Sequence, residues 1–310
     1  MKQVIENIRN NKNLVFTCQS SEMNEDIKRY VHYYKLPTED VSYCCGYEPI
    51  GHERLFVQSF RPRQLKGHLL LLHGYYDHAG VLSKAIRFLV QQHFHVLTFD
   101  LPGHGLSTGE RAAIADFSLY VESVREVIRR HLSSAALPVY IVAHSTGAAA
   151  AIDYILNDKE ASAIQKAVFV APLVRSYHWN ATSISIKALR LFVRQLKRVI
   201  RNNSSDAAFL RFMREDPLQH DKVPLSWVEA LMKWNDSIEK GEPSAANVLV
   251  IQGKKDTTVD WEYNIVFLLR KFPNITVQLV ENGKHHLLNE EEMTRRQVFN
   301  SINRYLTSGG

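Results

Sequence analysis

The stretch that decides the fold is Val139-Tyr-Ile-Val-Ala-His-Ser-Thr-Gly-Ala-Ala-Ala-Ala151. A short β-branched run leads through a small turn straight into an alanine-rich segment, which is the pattern of a strand, a sharp turn and a helix. Ser145 falls at the apex of the turn, so its hydroxyl is expected to stand exposed above the end of the strand. Strand and helix pass close together there and require small flanking residues, which are Ala143 and Gly147. The stretch therefore predicts an activated serine nucleophile in a G-x-S-x-G pattern whose first position is alanine.

Strand-length apolar runs alternate with helical patterns along most of the chain. Two antiparallel strands are predicted within 41–63, and further strands at 67–74, 95–100, 139–142, 167–171, 247–252 and 275–280. Helical patterns cover 25–34, 80–92 and 114–132. This alternation predicts an α/β fold with a mostly parallel central sheet, wound by right-handed crossovers and flanked by helices.

The alternation stops between Ala171 and Asn247, where the sequence is helix-like throughout. Such a gap indicates a helical cap inserted over the carboxyl edge of the sheet, where parallel sheets bind their ligands. We therefore expect three segments. They are a first part of the core over 1–174, which begins with a polar lead-in, the cap over 175–242, and a second part of the core over 243–310.

Composition places the chain among globular proteins. Of its 310 residues, 45% are hydrophobic and 23% are charged. The amino-terminal residues carry no apolar core of an export signal, and no run approaches the ~18 apolar residues of a membrane-spanning helix. Cys18, Cys44 and Cys45 form an odd set without metal-site spacing, so they are expected to be reduced, buried thiols. These features predict a cytoplasmic protein.

Candidate partners for the nucleophile follow other predicted strands. An alkoxide needs a base beside it, an acid that orients the base, and donors for the oxyanion. Asp256 and His285 each come directly after a predicted strand, and the order Ser145, Asp256, His285 is expected when the turn serine precedes both partners. Tyr75 follows the first buried strand, so its backbone N–H can join that of Thr146 in an oxyanion hole.

The chain resembles the serine hydrolases of the α/β-hydrolase superfamily in His73-Gly74, Phe99-Asp-Leu-Pro-Gly-His-Gly-Leu-Ser107, Ala143-His-Ser-Thr-Gly147, Asp256 and His285. Within that superfamily it is similar to the monoacylglycerol lipase and bacterial lysophospholipase branch. The likeness covers most of the chain on both sides of the predicted cap. It implies an α/β-hydrolase fold, with a mostly parallel central sheet flanked by helices and a helical cap insertion.

The resemblance also implies roles for five residues. Ser145, Asp256 and His285 would form a catalytic triad, and the backbone N–H groups of Tyr75 and Thr146 would form the oxyanion hole. The implied substrate is a small lipid ester, cleaved without any metal or other cofactor. No nucleic-acid partner is expected.

Neighbouring residues offer alternatives for two of these roles. Asp260 lies in the same loop as Asp256, but Asp256 stands nearer to the end of the strand. His286 adjoins His285, but the motif of the resembling family places the base at the first of the two. Three further histidines are expected to be structural, namely His78, His104 and His144.

The segment 187–201 carries six basic residues and no acidic one. At 100° per residue all six fall within one arc of a helix, with apolar residues opposite. They are Lys187, Arg190, Arg194, Lys197, Arg198 and Arg201. One interpretation is a cap helix with solvated charges. The other is a basic face that rests on an anionic membrane and makes the protein peripheral there.

Large apolar side chains of the cap offer two interpretations as well. The candidates are Trp179, Phe209, Phe212, Trp227, Leu231 and Trp234. They can line a channel for an acyl chain, or they can form plain hydrophobic core, which is the more common use of such residues in a helical insertion.

The sequence thus predicts a serine ester hydrolase that cleaves monoacyl lipids, of the lysophospholipase or monoacylglycerol lipase kind. A peptidase of the proline-iminopeptidase kind shares the same apparatus, but it needs an acidic cap pocket for a free amine. Between Arg175 and Lys240 twelve basic residues stand against seven acidic ones, which disfavours that pocket. A non-catalytic binding module of the same fold is a third alternative, and the intact nucleophile, acid and base disfavour it.

Overall fold

The computed structural model describes residues 1–18, 23–133, 136–179, 193–199 and 201–308. Within them, an eight-stranded sheet forms the centre of the fold and a two-stranded ribbon lies apart from it. The strands are β1 (Val41–Ile50), β2 (Glu53–Pro62), β3 (Gly67–Leu72), β4 (Phe94–Phe99), β5 (Val139–His144), β6 (Ile164–Val170), β7 (Gln195–Lys197), β8 (Lys222–Pro224), β9 (Val248–Gly253) and β10 (Ile275–Val280). β7 and β8 form the ribbon, and the other eight form the sheet.

The central sheet is mostly parallel. Its strands lie side by side in the order β1-β2-β4-β3-β5-β6-β9-β10. β2 pairs antiparallel with β1 and with β4, and the remaining pairs are parallel. Parallel neighbours end at the same edge, so the loops that follow β3, β5, β9 and β10 come together at the carboxyl edge of the sheet.

Helices cover both faces of the sheet. Among the described residues they are α1 (Lys2–Asn10), α2 (Glu25–Tyr34), α3 (Ser83–Gln91), α4 (Ser118–His131), α5 (Thr146–Asn157), α6 (Ala207–Glu215), α7 (Leu225–Ile238), α8 (Trp261–Lys271) and α9 (Glu292–Thr307). One hydrophobic core includes side chains of α4, α5, α7 and α8, and the other includes side chains of α1, α2, α3 and α9. Leu70 and Leu72 of β3 belong to the first core and Leu69 and Leu71 to the second, which explains why all four positions are apolar.

The fold class expected from the sequence is confirmed. The hairpin within 41–63 is present with Val41 opposite Pro62, and each later predicted strand has a counterpart in the sheet. No described helix combines the length and the apolar character that crossing a bilayer requires. The segment boundaries at 174/175 and 242/243 stay a prediction.

The sequence predicts a cap, residues 175–242, that is helical throughout. The described part of the cap also contains a pair of strands. β7 pairs antiparallel with β8, and Leu196 lies opposite Val223. The predicted basic helix over 187–201 is therefore wrong for its described part, because pairing with a distant segment outweighs the local helical period. Four of its basic residues lie in the strand or in coil, namely Arg194, Lys197, Arg198 and Arg201. Lys187 and Arg190 lie outside the described residues.

The cysteines also differ from the expectation. Cys18 and Cys44 form a disulfide across 26 residues, so the prediction of reduced thiols is wrong for this pair. The reason is tertiary, because the segment before α2 runs beside β1, and Phe16 N–H donates to the carbonyl of Tyr47 at 3.1 Å. Cys45 is a free thiol, and burial raises its pKa to about 11.

Candidate active site

The turn between β5 and α5 holds Ser145 in a strained backbone conformation. Its φ is 51° and its ψ is −113°, a region that residues other than glycine rarely occupy. A Cβ atom on Gly147 would lie 2.5 Å from the carbonyl oxygen of His73, so glycine is required there. Ala143 is fully buried in β5, so the fold accommodates its methyl group. The turn therefore has the geometry of a nucleophile elbow.

Three side chains form a hydrogen-bonded relay at the carboxyl edge of the sheet. Ser145 Oγ lies 3.0 Å from Nε2 of His285, and Nδ1 of the same ring lies 2.8 Å from Oδ2 of Asp256. Ser145 follows β5, Asp256 follows β9 and His285 follows β10. Each of the three residues is at most 5% exposed. The sheet thus brings together the three side chains that the sequence selects, with the imidazole between the hydroxyl and the carboxylate.

The surroundings of Asp256 keep it ionised. Oδ1 accepts hydrogen bonds from the backbone N–H groups of Thr258, at 2.7 Å, and Val259, at 3.3 Å, and Oδ2 accepts one from the amide of Gln252 at 3.1 Å. Burial acts to raise the pKa of Asp256, but the adjacent His285 and these hydrogen bonds hold it below its usual value. The carboxylate therefore accepts a hydrogen bond from the Nδ1–H group, and the unprotonated Nε2 faces the serine.

The two alternatives considered from the sequence lie elsewhere. The carboxylate of Asp260 caps α8 by accepting a hydrogen bond from the N–H of Tyr263 at 3.4 Å. Nδ1 of His286 lies 3.7 Å from Asp77, while the neighbouring His285 faces the serine. The geometry therefore favours Asp256 over Asp260 and His285 over His286.

The backbone N–H groups of Tyr75 and Thr146 are available for an oxyanion. Thr146 is the first residue of α5, where helical N–H groups have no intrahelical acceptor. Neither N–H donates a hydrogen bond within the described part of the chain. The loop that carries Tyr75 lies against the serine, since a Cβ on Gly74 would be 3.0 Å from Cβ of Ser145. The Tyr75 hydroxyl donates to the carbonyl of Ala112 at 2.6 Å, which holds the loop in place.

A second polar cluster, which the sequence motifs do not reveal, lies beside the relay and consists of Asp77, His144 and His286. Nε2 of His144 donates to the carbonyl of His285 at 3.1 Å, and its Nδ1 lies 3.6 Å from Asp77. Burial acts to raise the pKa of Asp77, but the nearby histidines hold it well below its usual range. The three ligand atoms lie within 4.8 Å of one another, a spacing at which such groups can hold a cation. The one sequence signal for this cluster is an acid two residues after Tyr75.

Two of the histidines expected to be structural, His78 and His104, make hydrogen bonds within the fold and away from the relay. Nε2 of His78 lies 2.8 Å from the carboxylate of Asp216, which also accepts a hydrogen bond from the hydroxyl of Tyr34 at 2.7 Å. This contact links the loop after β3 with the end of α6 and with α2. Nδ1 of His104 donates to the carbonyl of Pro102 at 2.9 Å within its own loop.

Two tryptophans of α7 have different surroundings. Trp227 stacks on the ring of Tyr75 with centroids 3.8 Å apart. Trp234 donates a hydrogen bond to Asp153 at 2.8 Å and stacks on Phe117, so it belongs to the core, as does the buried Leu231.

The remaining apolar candidates also lie apart from one another. The ring of Phe209 lies 5.2 Å from that of His286, whereas Phe212 packs 6.0 Å from the rings of Tyr33 and Tyr34. Trp179 lies beside the guanidinium of Arg175. Of the six candidates, Trp227 and Phe209 are the two whose described ring contacts are with site residues.

The basic residues of the ribbon divide between two surroundings. The guanidinium of Arg198 lies 3.8 Å above the centre of the Tyr76 ring and donates to the side chain of Gln219 at 2.8 Å. Arg194 and Lys197 are exposed to solvent. The basic face expected from the helical period is therefore split between the interior of the cap and its surface.

The fold and the site define the class of protein. A mostly parallel sheet, a serine in a strained turn after β5 and a hydrogen-bonded Ser–His–Asp relay are the features of an α/β hydrolase. The family model described as "Serine aminopeptidase, S33" matches residues 63–292, and the chain belongs to that family.

Relatives of the chain carry lipase and lysophospholipase names. It is 25% identical over 281 residues to the monoglyceride lipase homolog of monkeypox virus, which covers 86% of this chain and 94% of the relative. It is 23% identical over 265 residues to a probable lysophospholipase of Haemophilus influenzae, and this match covers 77% of this chain and 83% of the relative. The fold also matches a solved structure of a soluble variant of monoglyceride lipase from Saccharomyces cerevisiae in complex with a substrate analog. The TM-score is 0.75 at 18% sequence identity, and the match covers 84% of this chain and 94% of the other. The structural match shows a shared fold.

Proposed function

We propose that the chain is a serine ester hydrolase that cleaves monoacyl lipids through an acyl-enzyme. The observation that carries this proposal is the relay in which Ser145 Oγ lies 3.0 Å from Nε2 of His285 and Nδ1 of His285 lies 2.8 Å from Asp256. The names of the relatives, a monoglyceride lipase homolog and a probable lysophospholipase, support the choice of substrate class.

In the first half of the reaction, Nε2 of His285 takes the proton of Ser145, and Oγ attacks the ester carbonyl carbon. The resulting oxyanion accepts hydrogen bonds from the N–H groups of Tyr75 and Thr146, each contributing roughly 3–4 kcal/mol in the transition state. The bond to the leaving alkoxide oxygen then breaks. His285 returns the proton to that oxygen, so the alcohol leaves and the acyl group stays on Oγ.

In the second half, water repeats the attack. His285 takes a proton from the water molecule, whose oxygen adds to the acyl carbon, and the proton passes to Oγ of Ser145 as the fatty acid leaves. Asp256 holds the imidazole in the required tautomer and stabilises its charged form in both halves. Burial of all three residues strengthens these interactions, because little water screens them.

Hydrolysis of a p-nitrophenyl ester tests whether the chain is an enzyme of this kind. Ser145→Ala is expected to lower kcat by about 10⁴-fold or more. The matched control is Ser123→Ala, a buried serine in α4 whose hydroxyl donates to the carbonyl of Leu119. It is expected to keep its activity. Equal rates of ester hydrolysis by wild type and Ser145→Ala would show that Ser145 is not the nucleophile.

An aminopeptidase is the second candidate, because the description of the family names that activity. It needs a carboxylate near the serine to hold a free amine. Asp216 lines a neighbouring cavity, but its carboxylate is already held by His78 and Tyr34, and Arg198 and Arg201 line the same cavity. A panel of monoacylglycerol, lysophospholipid and aminoacyl-anilide separates the two candidates, and we expect turnover of the esters alone.

The proposal includes peripheral contact with an anionic membrane, and location in the cytoplasm stays a prediction from the sequence. The support for contact is an exposed edge of the ribbon, where Leu196 is 36% and Val199 is 78% exposed and Arg194 and Lys197 face solvent. Apolar and basic side chains on one edge suit a lipid surface. Binding of Arg194→Gln/Lys197→Gln to anionic vesicles tests this, and binding equal to that of wild type would remove the contact.

A further inference from the structure

A cavity of about 230 Å³ shares His286 with the polar cluster of Asp77, His144 and His286. Phe209 and His286 line it on the side of the active site, and His286 is adjacent in sequence to the base of the relay. The other side is formed by residues that follow β7, the end of α6 and the loop between α6 and β8. Its volume is below the roughly 300–1,000 Å³ of pockets that enclose a whole drug-sized ligand. The cavity therefore suits a head group, not an acyl chain.

The lining of this cavity carries more basic than acidic side chains. Three arginines line it, namely Arg198, Arg201 and Arg214, together with two aspartates. One of the aspartates, Asp216, is held by His78 at 2.8 Å. Asp221, Arg201 and Arg214 are exposed to solvent, and Arg198 is half-buried. Arginine clusters of this kind recognise phosphate, because the planar guanidinium matches two phosphate oxygens at once.

The two arginines nearest the ribbon are held in place without being neutralised by the groups that hold them. Nη1 of Arg198 donates to the side-chain oxygen of Gln219 at 2.8 Å and to the carbonyl of His220 at 3.1 Å. Nη1 of Arg201 donates to the carbonyl of Thr257. These acceptors carry no net charge. Among the described residues the bonds occupy Nη1 alone, so Nε and Nη2 of each guanidinium are left for an anion.

We infer that this cavity binds the phosphate of a lysophospholipid head group while the ester carbonyl of the same molecule lies at Ser145. The inference rests on the proposed function. It selects a phosphate-bearing lipid as the substrate in preference to a neutral monoacylglycerol. Water is consumed, the acyl C–O bond breaks, and the products are a fatty acid and the glycerophosphate ester. The phosphate keeps all its P–O bonds and serves as an anchor.

The test is the ratio of kcat/KM for lysophosphatidylglycerol to kcat/KM for the monoacylglycerol with the same acyl chain, both below their micelle concentrations. Arg198→Gln and Arg201→Gln are each expected to lower this ratio about tenfold, because each removes a charge-assisted hydrogen bond. Arg198→Lys keeps the charge without the planar fork and is expected to restore part of the ratio. Arg211→Gln, an exposed cation on α6 outside the cavity, is the control and is expected to keep the wild-type ratio.

Further arms separate the sources of phosphate. If inorganic phosphate inhibits hydrolysis of monoacylglycerol by wild type while the substrate ratio is unchanged in both glutamine variants, the cavity holds free phosphate and the inference is overturned. If the glutamine variants lose binding to phosphatidylglycerol vesicles but keep the ratio, the arginines serve the membrane surface and the inference is again overturned. Loss of all ester hydrolysis in Ser145→Ala, measured alongside, keeps the proposed function standing in either case.

Discussion

The ring of Trp227, on α7, stacks on the ring of Tyr75 with centroids 3.8 Å apart and an interplanar angle of 20°. On its other side Tyr75 is fixed by the hydrogen bond from its hydroxyl to the carbonyl of Ala112. The cap therefore braces the loop whose backbone N–H is a candidate oxyanion donor. Substitution of Trp227 is therefore expected to displace this donor and to lower the rate of ester hydrolysis at Ser145.

Trp227→Ala removes this brace. We expect the free energy of unfolding to fall by about 3–5 kcal/mol, as for other buried aromatic residues. We also expect kcat to fall at least about tenfold, because a small displacement of a donor has a large effect on rate. Trp227→Phe is the matched variant, since it keeps a ring and removes an indole N–H that has no partner among the described residues. Urea denaturation and p-nitrophenyl ester kinetics check both effects, and wild-type kcat in Trp227→Ala would contradict the bracing role.

Gly147→Ala tests the close approach of strand and helix at the turn. The added Cβ would lie 2.5 Å from the carbonyl oxygen of His73 and 2.7 Å from Cβ of Leu72, so backbone must move. We expect a loss of about 1–3 kcal/mol in unfolding free energy and a fall of at least about tenfold in kcat. Gly241→Ala is the control, because there the nearest atom would be 3.5 Å away. Similar losses in both variants would show that the effect is not specific to the turn.

Asp256→Asn and Asp260→Asn separate the acid of the relay from a helix cap. Asn at 256 cannot fix the imidazole in the required tautomer, so kcat is expected to fall by about 10⁴-fold with little change in stability. Asp260 caps α8 through the N–H of Tyr263, and its replacement is expected to lower stability by at most about 1 kcal/mol and to leave kcat near wild type. Steady-state kinetics decide the matter, and the opposite order of effects would exchange the two roles.

The buried His95 makes stability depend on pH. Burial, followed by the neighbouring charges of His68, Arg61 and His131, lowers its pKa to about 3. In the unfolded chain the pKa is about 6.5. Below pH 6.5 the histidine is protonated in the unfolded chain but not in the folded protein. It therefore lowers the free energy of unfolding by about 1.4 kcal/mol for each unit that the pH falls between 6.5 and 3.

Replacing the ring measures that contribution. His95→Gln is expected to flatten the dependence of unfolding free energy on pH between about 4 and 6.5, compared with wild type. His52→Gln, in an exposed turn, is the control and is expected to leave the slope unchanged. Chemical denaturation at several pH values gives the slopes. An unchanged slope in His95→Gln would mean that the ring is already protonated in the folded protein.

The core of the fold and the relay follow from the sequence because their signals are local. The later strands of the sheet are short, mostly apolar runs, and Ser145, Asp256 and His285 follow the ends of β5, β9 and β10. In a parallel sheet the ends of neighbouring strands share an edge, so position along the chain is enough to predict that the three side chains meet. The turn glycine at 147 is dictated by close contacts with Leu72, at the end of β3, and with His73.

The features that the sequence does not predict depend on distant partners. The segment around β7 has a helical period in its charges, yet β7 pairs with β8, whose partner residues lie 25 to 29 positions further along the chain. Cys18 and Cys44 meet because the segment before α2 runs beside β1, which no spacing reveals. The cluster of Asp77, His144 and His286 likewise joins the end of β5 with two loops that are distant in sequence.

The most direct test of the account is to find where the acyl group is attached during turnover. Wild-type protein is mixed with a p-nitrophenyl ester, quenched in acid within the first turnovers, digested and analysed by mass spectrometry. We expect one acyl group on the peptide that contains Ser145, a burst of nitrophenol equal to the enzyme concentration, and neither signal in Ser145→Ala. An acyl group on another side chain, or undiminished hydrolysis by Ser145→Ala, would contradict the role assigned to the relay.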